Sequence, residues 1–225
     1  NFKIPCVILA RKNSKGLKQK NTKRLNNLSL IEHSILYAKK SKLISDIIIS
    51  TDDKKVSKIS KKHGCFVVYP RPKKFSQDRS RSEPAIKHAL DLFIKQNGQI
   101  DIYAFIQITE PFRPKNILDK CIKNLIHNSK LDSSFAGFIM HKNFWIQKKG
   151  KYIKLNYSKL DHKPRQTRES IYREDSGIAL ASRYKLIKKG IRIGKYVKIE
   201  PYSGIEGLVD IHSNQDFKLA SRVLK

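Results

Sequence analysis

Acidic residues are scarce in this chain. Its 225 residues hold 19 Asp and Glu against 48 Lys and Arg, a formal net charge of +29. Cysteine is sparse too: Cys6, Cys65 and Cys121 lie far apart, each in an apolar run. No C-x-x-C occurs and no Cys/His pairing has zinc-site spacing, so buried thiols in a reducing compartment are expected rather than disulfides or a zinc site. No apolar run approaches the ~20 residues of a membrane span. The chain opens directly on a strand-like segment, so no secretory leader is expected and the expected location is cytoplasmic. Neither G-x-x-x-x-G-K-[ST] nor G-x-G-x-x-G is present, which removes the two common glycine fingerprints for nucleotides. There is no internal repeat and no low-complexity linker.

A positive surplus this large ordinarily points to nucleic acid or an anionic membrane. The lysines, however, are spread along the whole chain, often at exposed-helix positions such as Lys54, Lys55, Lys58, Lys61 and Lys62. Lys outnumbers Arg about threefold, whereas base and phosphate readout favours Arg forks. No aromatic RNA-binding sheet signature is present. The expectation is a solvated lysine-rich surface with no dedicated nucleic-acid or membrane partner. A basic nucleic-acid binder is the alternative from another class, and steep salt dependence would reveal it. In either case the field draws in small anions.

The most informative stretch is residues 4–21. An apolar run, Ile4 to Leu9, ends at Ala10-Arg11, and a polar loop follows with Arg11, Lys12, Asn13, Ser14, Lys15, Gly16, Lys18, Lys20 and Asn21. A buried strand delivering cations, small hydrogen-bonding residues and one permissive glycine suits a polyphosphate. An ordinary basic connecting loop is the competing reading.

Strand-like and helix-like segments alternate through the first 140 residues. Strands are expected at Ile4–Leu9, Asp46–Ser50, Cys65–Tyr69, Ile102–Ile108 and Ser133–Met140. Helices are expected at Leu30–Lys42, after Thr51-Asp52-Asp53, behind Ser82 as N-cap, and from Pro114. This order argues for one α/β domain over residues 1–225, doubly wound, with a mostly parallel sheet. Ligands of such folds sit beyond the carboxyl ends of the strands, so Arg11, Asp52, Arg71 and Gln107 should converge.

Residues 141–175 break the rhythm, with Trp145, Tyr152, Tyr157 and Tyr172 among lysines. An arm, flap or hairpin is expected there. Beyond it, Gly177–Ala181 reads as a strand, Ser182–Lys189 as a short helix and Tyr196–Glu200 as a strand. A final helix starts near Ser213, with Asp216 in the capping-box position.

Three further candidates carry chemistry. Arg71-Pro72 ends a strand, and Ser76, Asp78, Ser80 and Ser82 lead into a helix N-terminus, where backbone N–H groups favour anions or hydroxyls. Gln107 ends the longest strand and suits a base, a sugar hydroxyl or a carboxylate. Val209-Asp210-Ile211-His212 alternates as a strand does, which puts Asp210 and His212 on one side. Such a pair can share a metal ion or orient a general base.

Six motifs occur in order: A-R-K-N-S-K-G-L-K-Q-K-N at 10–21, S-T-D-D at 50–53, R-P-x-x-x-S-x-D-x-S-x-S at 71–82, Q-x-T-x-P-F-R at 107–113, P-R-Q at 164–166 and D-I-H-S-x-x-D-F at 210–217. The series resembles the acylneuraminate (CMP-sialic acid) cytidylyltransferase family, from about residue 4 to residue 222. The resemblance implies a Rossmann-like nucleotidyltransferase fold, with CTP and a nine-carbon 2-keto sugar acid giving the CMP-sugar and pyrophosphate, aided by Mg²⁺. By motif, Arg11, Asn13, Ser14, Lys20 and Asn21 look like the nucleotide and triphosphate group, joined by Arg71 and Ser82. Gln107, Arg165, Gln166 and Arg173 look like sugar-acid residues, Arg165 as a fork for the carboxylate. Asp210 and His212 occupy the metal position, and with Arg11 and Lys20 the catalytic one. The family's arm crosses to a second subunit, so 141–175 implies a dimerisation arm and a homodimer.

Three departures bear on specificity. Relatives carry D-I-D where this chain has Asp210-Ile211-His212. The segment after Tyr172-Arg173 is one residue longer and acidic, E-D-S-G-I. Thr-Ser-Pro becomes Thr109-Glu110-Pro111. Added carboxylates beside an acidic sugar call for a partner, either an amino or amidino substituent or the arm's arginines. A CMP-Kdo-type or other nucleotide-sugar synthetase is the alternative within the class.

Overall fold

Why Ile4–Leu9 lies at the centre of the molecule follows from its lack of a polar face. In the computed structural model, which describes residues 3–12, 16–77, 80–156 and 164–223, strand β1 (Pro5–Ala10) pairs in parallel with two neighbours, β4 (Asp46–Thr51) and β6 (Ile102–Ile106). Successive side chains of β1 enter opposite cores. Cys6, Ile8 and Ala10 pack with the helices on one face, and Val7 packs with those on the other. A strand covered on both faces must be apolar throughout, which is why this segment shows no alternation.

Between β1 and β4 lie a small hairpin, β2 (Arg24–Leu25) with β3 (Leu28–Ser29), and helix α1 (Leu30–Lys39). Ser29 and Glu32 form a reciprocal capping box at its start. Helix α2 (Lys54–Lys62) is capped by Asp53 and ends at Gly64, whose φ of +70° suits a residue without Cβ. Strand β5 (Phe66–Val68), helix α3 (Ser82–Asn97), β6, helix α4 (Ile117–His127) and β7 (Ser133–Met140) follow. Helices α1 and α4 bury Ile31, Ile35, Leu118 and Cys121 on one face of the sheet; α3 buries Ile86, Leu90 and Phe93 on the other. The doubly wound α/β expectation holds.

After β7 the chain makes an exposed hairpin, β8 (Trp145–Lys148) with β9 (Lys151–Lys154), then returns through β10 (Ile171–Glu174), β11 (Leu180–Arg183), α5 (Tyr184–Lys188), β12 (Val197–Tyr202) and α6 (Asn214–Val223). Strand β11 is antiparallel to both β6 and β7, while β12 is parallel to β7. The sheet is therefore mixed at this side. The register explains a loop that matters below. Glu174 lies opposite Gly137, yet Leu180 lies opposite Phe135. One residue of β7, Ala136, faces five on the returning chain, so Asp175–Ala179 bulges out of the ladder.

Several boundaries differ from expectation: the strand expected at 102–108 ends at Ile106 and is shorter than β7, and the helices expected at 30–42 and 182–189 span Leu30–Lys39 and Tyr184–Lys188. Ser82 is the first residue of α3 rather than its N-cap; Arg81 takes that position without a side-chain cap. The strand expected at 177–181 begins at Leu180, because the preceding residues are in the bulge. The helix expected from Pro114 starts at Ile117, after Asn116 in the left-handed region at φ 61°. Residues 209–212 are not a strand, since no neighbouring strand accepts them. Their in–out alternation survives: Val209 and Ile211 are buried, Asp210 and His212 exposed. No described helix is long and apolar enough to cross a membrane.

Candidate active site

The carboxyl ends of β1, β4 and β6 open on one side of the sheet, and the loops there are pinned to each other. Asn21, nearly buried, donates from Nδ2 to the Arg11 carbonyl at 2.7 Å and so closes the loop after β1. Thr51 Oγ1 donates to the Ala10 carbonyl at 2.6 Å, and the Lys12 N–H donates to Asp52 Oδ1 at 2.7 Å. Arg71 lies 3.8 Å from Asp52 and donates from Nε to Ser76 Oγ at 3.1 Å. Lys20 reaches across to the Ile211 carbonyl at 3.2 Å. Gly16 is required where it stands: a Cβ there would lie 2.2 Å from the His212 carbonyl oxygen.

A cleft of about 440 Å³ results. Arg11, Lys20, Asn21, Arg71, Ser82, Gln107 and His212 all line it, so most of the dispersed sequence candidates converge. Among the described lining residues there is no Asp or Glu, whereas four are Lys or Arg. Burial lowers the Lys20 pKa, an effect that Arg11 reinforces and Asp210 opposes. Burial likewise lowers that of Arg71, with Asp52 opposing. Cations held this way gain most when an anion enters. The first turn of α3 also faces the cleft through Ser80, Arg81, Ser82 and Ala85, and its N–H groups lack a side-chain cap.

A second cavity, of about 360 Å³, shares Gln107 with the first. Its walls come from the bulge at 175–177, the 206–210 segment, Glu110 and Arg173. Asp210 lines this cavity and His212 the other; His212 Nε2 and Asp210 Oδ2 are 2.8 Å apart, so the pair stands where the two spaces meet. The Ile211 N–H donates to the Thr109 carbonyl at 2.8 Å, and the Gln107 N–H to the Gly177 carbonyl at 2.8 Å. Arg173 grips Asp175 with two hydrogen bonds of 2.7 and 2.8 Å, and this raises the Arg173 pKa. Glu110 is pushed up to about 7, first by burial and then by Asp210 and Asp175, with Arg113 opposing.

Asn13, Ser14 and Asp78 lie outside the described residues. Gln166 is exposed on a short turn and lines neither cavity; the Arg165 side chain is likewise outside the description. Sequence reasoning left out Arg81, Phe75 and Gln77 of the first cavity and Asp175 and Gly177 of the second. The only advance signals were the acidic insertion after Arg173 and the glutamate at 110.

Among the described residues no group of three or more His, Cys, Asp and Glu is placed to hold a metal ion. Asp216, the nearest further carboxylate in sequence, accepts from the His212 and Ser213 N–H groups and is occupied as the cap of α6. Asp210, exposed at the junction, is the oxygen donor available to a hard cation. That suits Mg²⁺, which commonly takes one or two carboxylates and completes its shell with phosphate oxygens and water.

Residues 5–189 match the family model described as Cytidylyltransferase. The post-translational flagellin modification protein B of Campylobacter coli is 27% identical over 99% of this chain and 95% of its own length. The N-acylneuraminate cytidylyltransferase of Escherichia coli is 27% identical over 97% of this chain, and the chain spans 51% of that relative's length. A pseudaminic acid cytidylyltransferase of Campylobacter jejuni is 31% identical over 55% of this chain and 53% of its own. The solved structure of a CMP:2-keto-3-deoxy-manno-octonic acid synthetase superposes with a TM-score of 0.71 over 99% of this chain and 98% of the other, at 12% identity, a likeness of fold alone. With the match covering most of the sequence and the strand-end cleft where the fold puts a nucleotide, the chain belongs to the cytidylyltransferase family and is a nucleotidyltransferase.

Proposed function

We propose that this protein transfers a cytidylyl group from CTP to the anomeric hydroxyl of a nonulosonic (sialic-acid-like) sugar acid, releasing pyrophosphate. The observation that carries the reading is the pair of cavities, one cationic and one acidic, meeting at Gln107 and the Asp210–His212 pair. Curated relatives named for neuraminic, pseudaminic and legionaminic acids support the sugar class.

In this reading Arg11, Lys20 and Arg71 neutralise and orient the triphosphate, with Asn13 and Ser14 assigned to the same loop by motif. Asn21 holds that loop closed, and Ser82 with the α3 N-terminus receives the nucleoside. Gln107 and Arg173 hold the acceptor, so that its hydroxyl faces the α-phosphorus from the second cavity. Positioning and neutralisation of developing charge carry most of such a transfer. Asp210 would hold Mg²⁺, which supplies Lewis-acid stabilisation of the phosphates when bound. His212 takes up the hydroxyl proton or stands in for the carboxylate of relatives. We further propose a homodimer in which the 141–175 arm, with Trp145 and Tyr152 exposed, covers a second subunit and brings Arg165 and Gln166 to its site.

The test is pyrophosphate release from CTP and Mg²⁺ with a panel of sialic, legionaminic, pseudaminic and Kdo-type acids. Release with one of the nine-carbon acids is expected. Release only with the Kdo-type acid, or with none, overturns the sugar assignment; preference for GTP, UTP or ATP overturns the nucleotide.

A further inference from the structure

The second cavity poses a problem of charge. A chain with 48 basic and 19 acidic residues gathers Glu110, Glu174, Asp175, Glu206 and Asp210 around one space beside the nucleotide cleft. Three of these are accounted for: Asp175 by Arg173 and the Tyr202 hydroxyl, Glu174 by the Ser176 hydroxyl, and Asp210 by His212.

Glu110 and Glu206 are not, and Glu110 is the one that lies beside Gln107, at the boundary with the nucleotide cleft. It makes no hydrogen bond or ion pair with another described residue. Its carboxylate lies against the bare backbone of Gly177, where a Cβ would come within 1.6 Å of Oε2, and next to the Gln107 side chain. The Arg113 guanidinium, buried nearby, favours that charge but makes no ion pair with it; its Nη2 donates to the Gln107 carbonyl and to Ser34 Oγ at 3.5 Å, and its Nε and Nη1 have no hydrogen-bond partner. A carboxylate this enclosed is costly unless something pairs with it. A basic nitrogen on an organic acceptor is a complement for which this space of about 360 Å³ has room.

We propose that Glu110 is a specificity-determining residue that selects acceptors carrying a basic nitrogen, a free amino or amidino group, over their neutral N-acyl counterparts. The inference rests on the sugar-acid reading above and extends it. The acceptor's own carboxylate would face Arg173 or the cationic cleft, and its basic substituent would face Glu110. A hydrogen-bonded charge pair in an enclosed pocket discriminates by about tenfold or more against a partner that leaves the site charge unmatched.

The experiment compares a nine-carbon sugar acid bearing a free amino group with the same acid N-acetylated, in wild type and in Glu110→Gln, which keeps shape and removes charge. Pyrophosphate release gives kcat and KM, and calorimetric titration in the presence of CMP gives acceptor affinity without turnover. The expected result is at least a tenfold preference of the wild type for the basic acceptor, chiefly in KM. Glu110→Gln should reduce that ratio about tenfold while its melting temperature shows it folded. Equal or inverted preference in the wild type, or a ratio unmoved by Glu110→Gln, overturns the proposal. No turnover with either acid overturns the transfer reading instead, and the calorimetric ratio still decides the role of Glu110.

Discussion

The two cavities share Gln107 and meet at Asp210 and His212, yet they are built on opposite plans. The nucleotide side is assembled from loops at the ends of three parallel strands, pinned by hydrogen bonds to backbone carbonyls such as Thr51 to Ala10 and Asn21 to Arg11. Arg11, Lys20 and Arg71 are partly or wholly buried there, and no carboxylate is among the described lining residues. The other side is assembled from a bulge in the returning chain and from the 206–210 segment, and its one arginine is already held by Asp175. A surface that is basic almost everywhere thus directs anions to one half of its site and reserves acid for the other. Net charge alone says nothing of this division.

The largest expected effect comes at the junction. Asp210→Ala should lower turnover by roughly a thousandfold or more, the scale of losing a principal electrostatic group, with an unchanged circular dichroism spectrum because Asp210 is exposed. Near-normal turnover would remove it from the reaction. Next come the cleft cations. Arg11→Ala, Lys20→Ala and Arg71→Ala should each cost about 10²-fold in kcat/KM. Lys12→Ala and Lys18→Ala, both exposed, should cost less than about threefold, because screened surface charges contribute little. Equal losses in both sets would reduce the cleft to part of the general lysine excess.

His212→Asp sharpens the junction further. Retained or increased Mg²⁺-dependent activity means the imidazole merely replaces a carboxylate, whereas lost activity with unchanged metal dependence gives it a proton-transfer role. On the acidic side, Gly177→Ala should raise the acceptor KM several-fold and leave nucleotide affinity alone, since the new Cβ collides with Glu110. Weakened nucleotide binding would show that the cavities are not separable.

The smallest effect is on stability. Burial lifts Glu110 from 4.5 to about 7. Between those values the folded protein holds a proton that the unfolded chain has released, so stability falls as pH rises across this window. Glu110→Gln should flatten that slope, read as a difference of on the order of a few degrees in Tm between pH 5 and pH 7.5. Parallel Tm–pH curves for the two proteins would contradict the burial argument.

Much of the nucleotide side could be read from the chain because its parts are local. Ile4–Leu9 is apolar on both faces, so it had to be a central strand, and a central parallel strand delivers its following loop to the ligand edge. Ser213 and Asp216 announce the cap of α6. The 209–212 segment was legible in its alternation but not in its state. Burial of Val209 and Ile211 is a property of the residues, whereas being a strand needs a partner that the sheet does not offer. The acidic side was visible only as oddities, a glutamate at 110 and an acidic insertion after Arg173. Their meeting depends on a ladder register that puts five residues against one.

By itself, then, the sequence determined the alternating α/β order, the apolar central strand and the cation-rich loop that follows it. These follow from periodicity and residue type within short windows. Only the tertiary structure decided that Glu110 lies on Gly177, that Asp175 is taken by Arg173, and that Asp210 and His212 divide one site into two cavities. Those facts depend on contacts between residues far apart in the chain, whose geometry is set by the packing of the whole sheet.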